Sequence, residues 1–408
     1  MSQPTPPPEA TSNTLRPDPA MLDSPLEQRA LHKFLLLTNL PLTWNAWQII
    51  GFIAGLLAVT AALWWALVDG SSALDVLQAL AFFVLADALI LASLPLLRLS
   101  FGPVGAQLVL LAAPRCLAAI LAIALARWLG ADWAVAILLA LELAALAAVA
   151  WGAYGESWRI QLTEMPLALG GATDAPPLRL LHLSDLHVER YGRREERLLR
   201  LVREAEPDLI LITGDYVSLS CVDDPLAHAD ARRVLGQIAA PRGVYAVLGS
   251  PPVDRNSAQM FEGLDIRLLR NEAVAVDIGW GQRIALLGLD CLQDPPRDAE
   301  HLREVSAQAA PGLRRVLLFH SPELALAAPE AAIDLYLCGH THGGQIRLPF
   351  YGAMITSSTL GKRFEMGYYR VGQTHLYVSR GIGLEGMGAP RLRFLCPPEV
   401  TLFTLTGL

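Results

Sequence analysis

The chain has 408 residues, of which 53% are hydrophobic and 17% charged, too apolar for a wholly soluble protein, since soluble domains carry about 25% charge. Its formal net charge of −7 excludes a general nucleic-acid binder, which needs a basic footprint. The five cysteines (Cys116, Cys221, Cys291, Cys338 and Cys396) are scattered and form no CxxC pair, so they read as free thiols in a reducing compartment.

Residues 1–30 are rich in Pro, Ser and Thr, include Pro4, Pro6, Pro7 and Pro8, and have no hydrophobic period. They read as a disordered tail without the layout of a signal peptide. Residues 31–155 hold four apolar stretches, Trp47–Val68, Val76–Leu97, Val104–Ala126 and Trp133–Trp151, each close to the ~20 residues that cross a hydrocarbon core. Trp44, Trp47, Trp64, Trp65, Trp128, Trp133 and Trp151 lie near their ends, where an aromatic belt would sit. The pattern predicts a membrane α-helical bundle of about four helices, the third interrupted by Pro114-Arg115.

Three charges, Asp87, Arg115 and Glu142, fall near the middles of the last three stretches. A charge there costs at least ~2.5–3.5 kcal/mol, so each is expected to face the bundle interior and find a partner. Two readings stand: a buried ion cluster that fixes helix packing, and a lipid-headgroup or ion site. The first is favoured because no further polar residues line a path. Arg16, Arg29 and Lys33 precede the first stretch, whereas the loop Asp69–Asp75 has no basic residue. The balance predicts that the N-terminus and the C-terminal domain both face the cytoplasm.

Residues 156–408 change texture. Trp158–Leu167 reads as a strand leaving the membrane, followed by a Gly/Pro turn at Gly170–Pro177. Strands are predicted at Leu178–Leu183, Leu209–Ile212, Val244–Leu248, Ile284–Leu289, Val316–Phe319 and Leu335–Leu337, with helices at Glu195–Glu204, Asp230–Ile238 and Ala299–Ala307. This alternation predicts α/β layers.

Five of these strands run into polar elements: Ser184-Asp185-Leu186-His187, Thr213-Gly214-Asp215, Gly249-Ser250-Pro251-Pro252-Val253-Asp254, Phe319-His320-Ser321-Pro322, and Gly339-His340-Thr341-His342-Gly343-Gly344-Gln345. In layered α/β folds the carboxyl ends of strands meet at one crevice. Carboxylates and imidazoles gathered there suit Mn, Fe or Zn. The i,i+2 pairs Asp185/His187 and His340/His342 bring two side chains near one point where the backbone turns out of a strand. Alone, an Asp-x-His or a Gly-Asp is usually a surface turn; the ordered set is the signal. His182, on the strand itself, reads as core or as a support for the ligands.

At these residues the chain resembles the calcineurin-like metallophosphoesterases, whose order is Asp-x-His, Gly-Asp, Gly-Asn-His-Asp/Glu, His and Gly-His-x-His. The resemblance covers residues 158–408 and is closest to the bacterial membrane-associated branch, through Gly339–Gln345, Ser379–Gly383 and Pro397-Pro398-Glu399. It implies a four-layer α/β/β/α sandwich holding two divalent metal ions: Asp185, His187 and His342 on the first, His320 and His340 on the second, Asp215 bridging. It also implies hydrolysis of phosphoester or pyrophosphate bonds at the bacterial inner membrane, on a lipid-linked substrate such as a diacylated UDP-glucosamine. One block departs: Gly249-Ser250-Pro251-Pro252 stands where Gly-Asn-His-Asp is expected, which weakens the second metal site and removes a leaving-group acid. Ser250 could ligate in place of the Asn, and Asp254 or Asn256 could reach back into the gap. The rival reading is a metal-binding pseudo-phosphoesterase with a binding or regulatory role.

Overall fold

The computed structural model describes residues 38–171 and 175–408. The tail at 1–30, the basic residues Arg16, Arg29 and Lys33, and residues 172–174 of the Gly/Pro turn lie outside the described residues.

Four helices are long and apolar enough to cross a membrane: α1 (Ala46–Leu67), α2 (Gly70–Leu96), α3 (Val104–Leu129) and α4 (Ala131–Tyr154). Their starts follow from local chemistry. Asn45 caps α1 by accepting from the Gln48 amide at 3.0 Å, while Gln48 Oε1 accepts from the Asn45 amide at 2.8 Å. Asp69 caps α2 through the Ser72 amide at 2.8 Å. Contrary to the expectation of an interruption, α3 runs unbroken through Pro114. It packs against α1, α2 and α4, and a proline inside a bundle is tolerated where neighbouring helices protect the freed backbone groups.

The three intramembrane charges form one buried cluster. Arg115 donates from Nε and Nη2 to the two oxygens of Asp87, at 2.7 and 2.9 Å, and from Nη1 to the Glu142 carboxylate. The guanidinium thus ties α2, α3 and α4 together, a contact that fits the packing reading. Trp47, Trp65, Trp128 and Trp133 are exposed as a belt requires, but Trp64 is not. It is fully buried and donates from Nε1 to the Ala119 carbonyl at 2.8 Å, so it is a core residue that pins α1 to α3.

The remaining chain builds two six-stranded sheets. The first has the order β1-β14-β2-β3-β4-β5, made of β1 (Gln161–Ala168), β2 (Leu178–Leu183), β3 (Leu209–Ile212), β4 (Val244–Ala246), β5 (Arg267–Leu268) and β14 (Glu399–Thr406). The second has the order β12-β13-β9-β8-β7-β6, made of β6 (Glu272–Gly279), β7 (Gln282–Gly288), β8 (Arg314–Leu318), β9 (Leu335–Cys338), β12 (Gly367–Val371) and β13 (Thr374–Val378). A small hairpin, β10 (Arg347–Leu348) and β11 (Gly352–Ala353), stands apart from both.

Alternation along the strands sorts the layers. Leu180, Leu211 and Phe403 of the first sheet pack against Leu286, Val316 and Leu335 of the second. On the outer face of the first sheet, Leu181, Leu183, Ile210 and Ile212 pack against α5 (Arg193–Glu204) and α6 (Pro225–Leu235). On the outer face of the second, Leu287, Leu317 and Tyr336 meet Leu302 and Val305 of α7 (Pro295–Gln308). This is the four-layer α/β/β/α sandwich. A one-residue slip of any central strand would turn its Leu or Ile side chains to the wrong layer, so the register is held by the core itself.

Candidate metal centre

Each strand that carries a site residue ends at the same edge of the sandwich. β2 and β3 lead into Asp185, His187 and Asp215, β4 into Ser250, and β8 and β9 into His320, His340 and His342. The chain must leave its strands abruptly to present these side chains. Asp185, His187, Asp215, His340 and His342, five of the six residues expected as ligands, have positive φ between 41° and 70°. Such backbone costs on the order of 1–3 kcal/mol per residue and collects at functional sites. Close approach also demands glycine. A Cβ on Gly249 would lie 2.1 Å from Asp215 Oδ1, and one on Gly339 would lie 2.0 Å from Asp185 Oδ2.

Two groups result. Asp185, His187 and His342 offer ligand atoms all within 4.8 Å of one another, as do Asp215, His320 and His340. The groups touch. Asp215 Oδ2 lies 3.2 Å from His320 Nε2 and 3.6 Å from His187 Nε2, so one carboxylate faces both triads. His187 Nε2 and His342 Nε2 are 3.0 Å apart, as are His320 Nε2 and His340 Nδ1 within 0.1 Å of that value, at 3.1 Å.

The second nitrogens are held from outside. His187 Nδ1 faces Glu385 at 2.9 Å, His320 Nδ1 donates to the Thr213 carbonyl at 2.8 Å, and His340 Nε2 to the Ser357 carbonyl at 3.2 Å. Outer partners of this kind fix ring orientation and tautomer at metal sites. His182 supports the floor: its Nε2 pairs with Thr213 Oγ1 at 2.8 Å, and Thr213 Oγ1 donates to Ser184 Oγ at 2.8 Å. Burial lowers the His182 pKa to about 3, which keeps it neutral.

The electrostatics fit cations. Burial alone would lower the pKa of His187, but Glu385, Asp215 and Asp185 lift it to about 9. Burial likewise opposes protonation of His320, and Asp215 and Asp185 lift it to about 10. His340 and His342 move the other way, pushed down by burial and by the neighbouring imidazoles. Without an ion each triad therefore holds one imidazolium proton, a demand for positive charge. A buried N/O donor set with this demand suits a divalent transition metal in each triad.

Ser250 occupies the predicted place: its Oγ lies 3.1 Å from His320 Nε2 and 3.4 Å from His340 Nδ1, and its amide donates to Asp215 Oδ1 at 2.7 Å. Asp254 does not fill the gap. Its carboxylate accepts from the amides of Asp215, Tyr216 and Gly249 and from Ser257 Oγ, at 2.7–3.1 Å. With its lone pairs so used it orders the loop and positions Asp215. Burial and the nearby Asp215 raise its pKa to about 6.

Two residues escaped the sequence reading. Glu385 lies just beyond the Ser379–Gly383 block and supports His187. Arg393 is fully buried, donates to the Gly383 carbonyl at 2.7 Å, and lies 3.3 Å from His342 Nδ1. Its own amide donates to Ser157 Oγ at 3.0 Å, just past α4, and a Cβ on Gly152 of α4 would meet the Arg393 carbonyl at 2.9 Å. One residue thus connects the first triad to the end of a membrane helix. Glu189, Arg391 and Gln107 make a second link: Arg391 pairs with Glu189, its amide donates to Gln107 Oε1 of α3 at 3.0 Å, and Glu189 accepts from the Phe101 amide at 2.7 Å.

Residues 178–344 match the family model described as calcineurin-like phosphoesterase. The chain is 33% identical over 236 residues to the uncharacterized metallophosphoesterase YkuE of Bacillus subtilis, covering 56% of this chain and 78% of that protein. It is 31% identical over 247 residues to the phosphodiesterase YaeI of Escherichia coli, covering 57% of this chain and 83% of that protein. A Bos taurus transmembrane protein with a metallophosphoesterase domain is 28% identical over 228 residues, covering 52% of this chain and 49% of that protein. With its layered sandwich, its two buried His/Asp triads and these relatives, the chain belongs to the calcineurin-like metallophosphoesterase family, metal-dependent hydrolases, and carries its catalytic domain behind four apolar helices.

Proposed function

We propose that this hydrolase cleaves a phosphoester or pyrophosphate bond in a lipid-linked substrate, with Asp185, His187 and His342 holding one divalent ion, His320 and His340 a second, and Asp215 both. The observation that carries the lipid assignment is Arg393, which touches the first triad with its side chain and the end of α4 with its backbone. A centre so mounted meets substrates at the membrane surface. The family resemblance makes a diacylated UDP-glucosamine one candidate. The basic residues before α1 support a cytoplasmic face of a bacterial inner membrane.

Two divalent ions held by Asp185, His187 and His342 and by Asp215, His320 and His340 would supply Lewis-acid charge for water activation and phosphoryl binding. The protein's own residues do the rest. Asp215 faces both triads and offsets the repulsion between their ions. Ser250 presents a hydroxyl beside His320 and His340. Pro251 and Pro252 have no proton to give, so nothing at these two positions protonates the leaving group. Leaving groups that depart as stable anions, aryl oxides or phosphates, are therefore favoured over alkoxides. The test is hydrolysis of p-nitrophenyl phosphate by the full chain in nanodiscs with added Mn2+. We expect turnover that Asp215→Asn abolishes together with bound metal. Stoichiometric metal without any turnover of aryl phosphates or pyrophosphate bonds would overturn the proposal.

A further inference from the structure

We infer that the β10–β11 hairpin is a membrane-interface anchor that forms the lipid-facing lip of the metal centre. The inference deepens the proposed function and rests on its membrane placement.

The hairpin leaves the centre and returns to it. It starts directly after His342–Gly344, and its return limb reaches Ser357, whose carbonyl accepts from His340 Nε2. Between them Leu348, Phe350, Tyr351 and Met354 are exposed, Phe350 completely. Phe350 also has φ 64°, a conformation that an aromatic residue rarely adopts. An apolar cluster with a strained aromatic at its tip is unusual on a surface facing only water.

Its neighbours place it at the level of the helix ends. Ile346 is bridged to Phe394, the Arg347 amide donates to the Phe394 carbonyl at 2.9 Å, and the Phe394 amide donates to the Gln345 carbonyl at 2.9 Å. The same segment lies against the membrane bundle on its other side. A Cβ on Gly152 of α4 would meet Leu392 at 2.8 Å, and the Cys396 amide donates to Glu156. Leu395, between these contacts, is a further exposed apolar residue on this segment. The base of the hairpin thus lies one backbone segment removed from the end of α4.

Its chemistry is interfacial. Lys362 places Nζ 3.4 Å from the centroid of the Tyr351 ring and donates to the Tyr351 carbonyl at 2.5 Å. Lys362 also faces Glu365 at 3.4 Å, as Arg347 does at 2.9 Å, so the apolar tip sits on a base of amphipathic and ion-paired side chains, an arrangement that suits the boundary between acyl chains and headgroups. A phosphoester on a lipid held there lies beside His340 and His342, and its acyl chains never need to leave the bilayer.

The five native cysteines are buried, so an introduced cysteine can be labelled selectively. The probe is an environment-sensitive fluorophore on Phe350→Cys in the full chain, in nanodiscs of phosphatidylglycerol and phosphatidylcholine with spin-labelled acyl chains. The control is Trp280→Cys, exposed in the turn between β6 and β7, at the end of β7 remote from the centre. We expect several-fold stronger lipid quenching at position 350. Equal quenching at both positions would overturn the inference. So would a label shielded from water-soluble quencher yet untouched by the lipid quencher, which would mean a protein partner or a second copy.

Activity gives a second readout. Phe350→Asp with Tyr351→Asp should lower turnover of an acyl-chain-extended aryl phosphate about tenfold or more relative to that of p-nitrophenyl phosphate in the same nanodiscs. An equal loss on both substrates would count against the anchor. Because quenching needs no catalysis, it separates failure of the anchor from failure of the proposed reaction.

Discussion

Adding one methyl group at Gly249 or Gly339 should dismantle the metal centre in two distinguishable ways. At Gly249 the new Cβ would sit 2.1 Å from Asp215 Oδ1 and 2.4 Å from the Asp215 amide nitrogen; at Gly339 it would sit 2.0 Å from Asp185 Oδ2. Real Cβ atoms essentially never approach closer than 3.0 Å, so each carboxylate must retreat by about 1 Å. A displacement of that size in a catalytic constellation costs about 10²-fold in rate. Overpacking costs about 1–3 kcal/mol in stability, or roughly 2–10 °C in Tm for a domain of this size. Asp215 faces both triads, so Gly249→Ala should empty both, whereas Gly339→Ala should release one ion and spare the other. Gly55→Ala, in α1 with nothing within 4 Å of its Cβ, is the control and should change neither metal content nor rate. Elemental analysis of purified protein, thermal melts and p-nitrophenyl phosphate turnover give the three readings. Wild-type metal content and rate in both site variants would refute the assignment of these carboxylates.

Other outcomes follow from the same geometry. In the metal-free protein His187 and His320 keep their protons up to about pH 9 and 10, so metal loading should release about two protons near neutral pH and tighten as pH rises; calorimetry in buffers of different ionisation enthalpy measures this. Because both values lie above the ordinary 6.5, their contribution to metal-free stability should be complete below that pH and vanish as pH climbs through 9 to 10, which melts across pH would show. Ser250→Asn with Pro251→His should raise the rate on alkyl phosphates about 10²-fold and on aryl phosphates much less; equal gains on both would contradict the missing-acid account. A reporter fused after Leu408 should behave as cytoplasmic, and a periplasmic signal would reverse the proposed orientation.

Much of the site is readable because its ligands gather where strands end, some of them beside glycine. Asp185, His187, Asp215, His320, His340 and His342 all follow predicted strands, and Asp215, His340 and His342 also stand beside glycine. Glu385 and Arg393 follow no predicted strand, and only tertiary contact brings them to His187 and His342. Asp254, one of two residues that spacing allows to reach into the gap, is held elsewhere by three backbone amides, which spacing does not reveal. Trp64 lies near a helix end like the belt tryptophans, and only helix packing distinguishes it. β5, β6 and β10–β14 are absent from the sequence reading, although β14 is an inner strand of the first sheet, between β1 and β2.

The position of β14 has a consequence for biogenesis. The strand lies between β1, which pairs with it in parallel, and β2, which pairs with it antiparallel. During synthesis β1 and β2 emerge soon after the four helices, and β2 can pair with β3, yet neither β1 nor β2 can meet β14 until nearly all of the phosphoesterase domain has followed. The helices can therefore settle in the bilayer while two strand edges stand open, and the domain closes as a late event next to the membrane. The intermediate exposes unpaired strands at a lipid surface, where chaperone capture or mispairing competes with closure. Substitutions that slow β14 docking, such as proline at the buried Phe403, should lower the yield of folded protein without disturbing insertion of the helices.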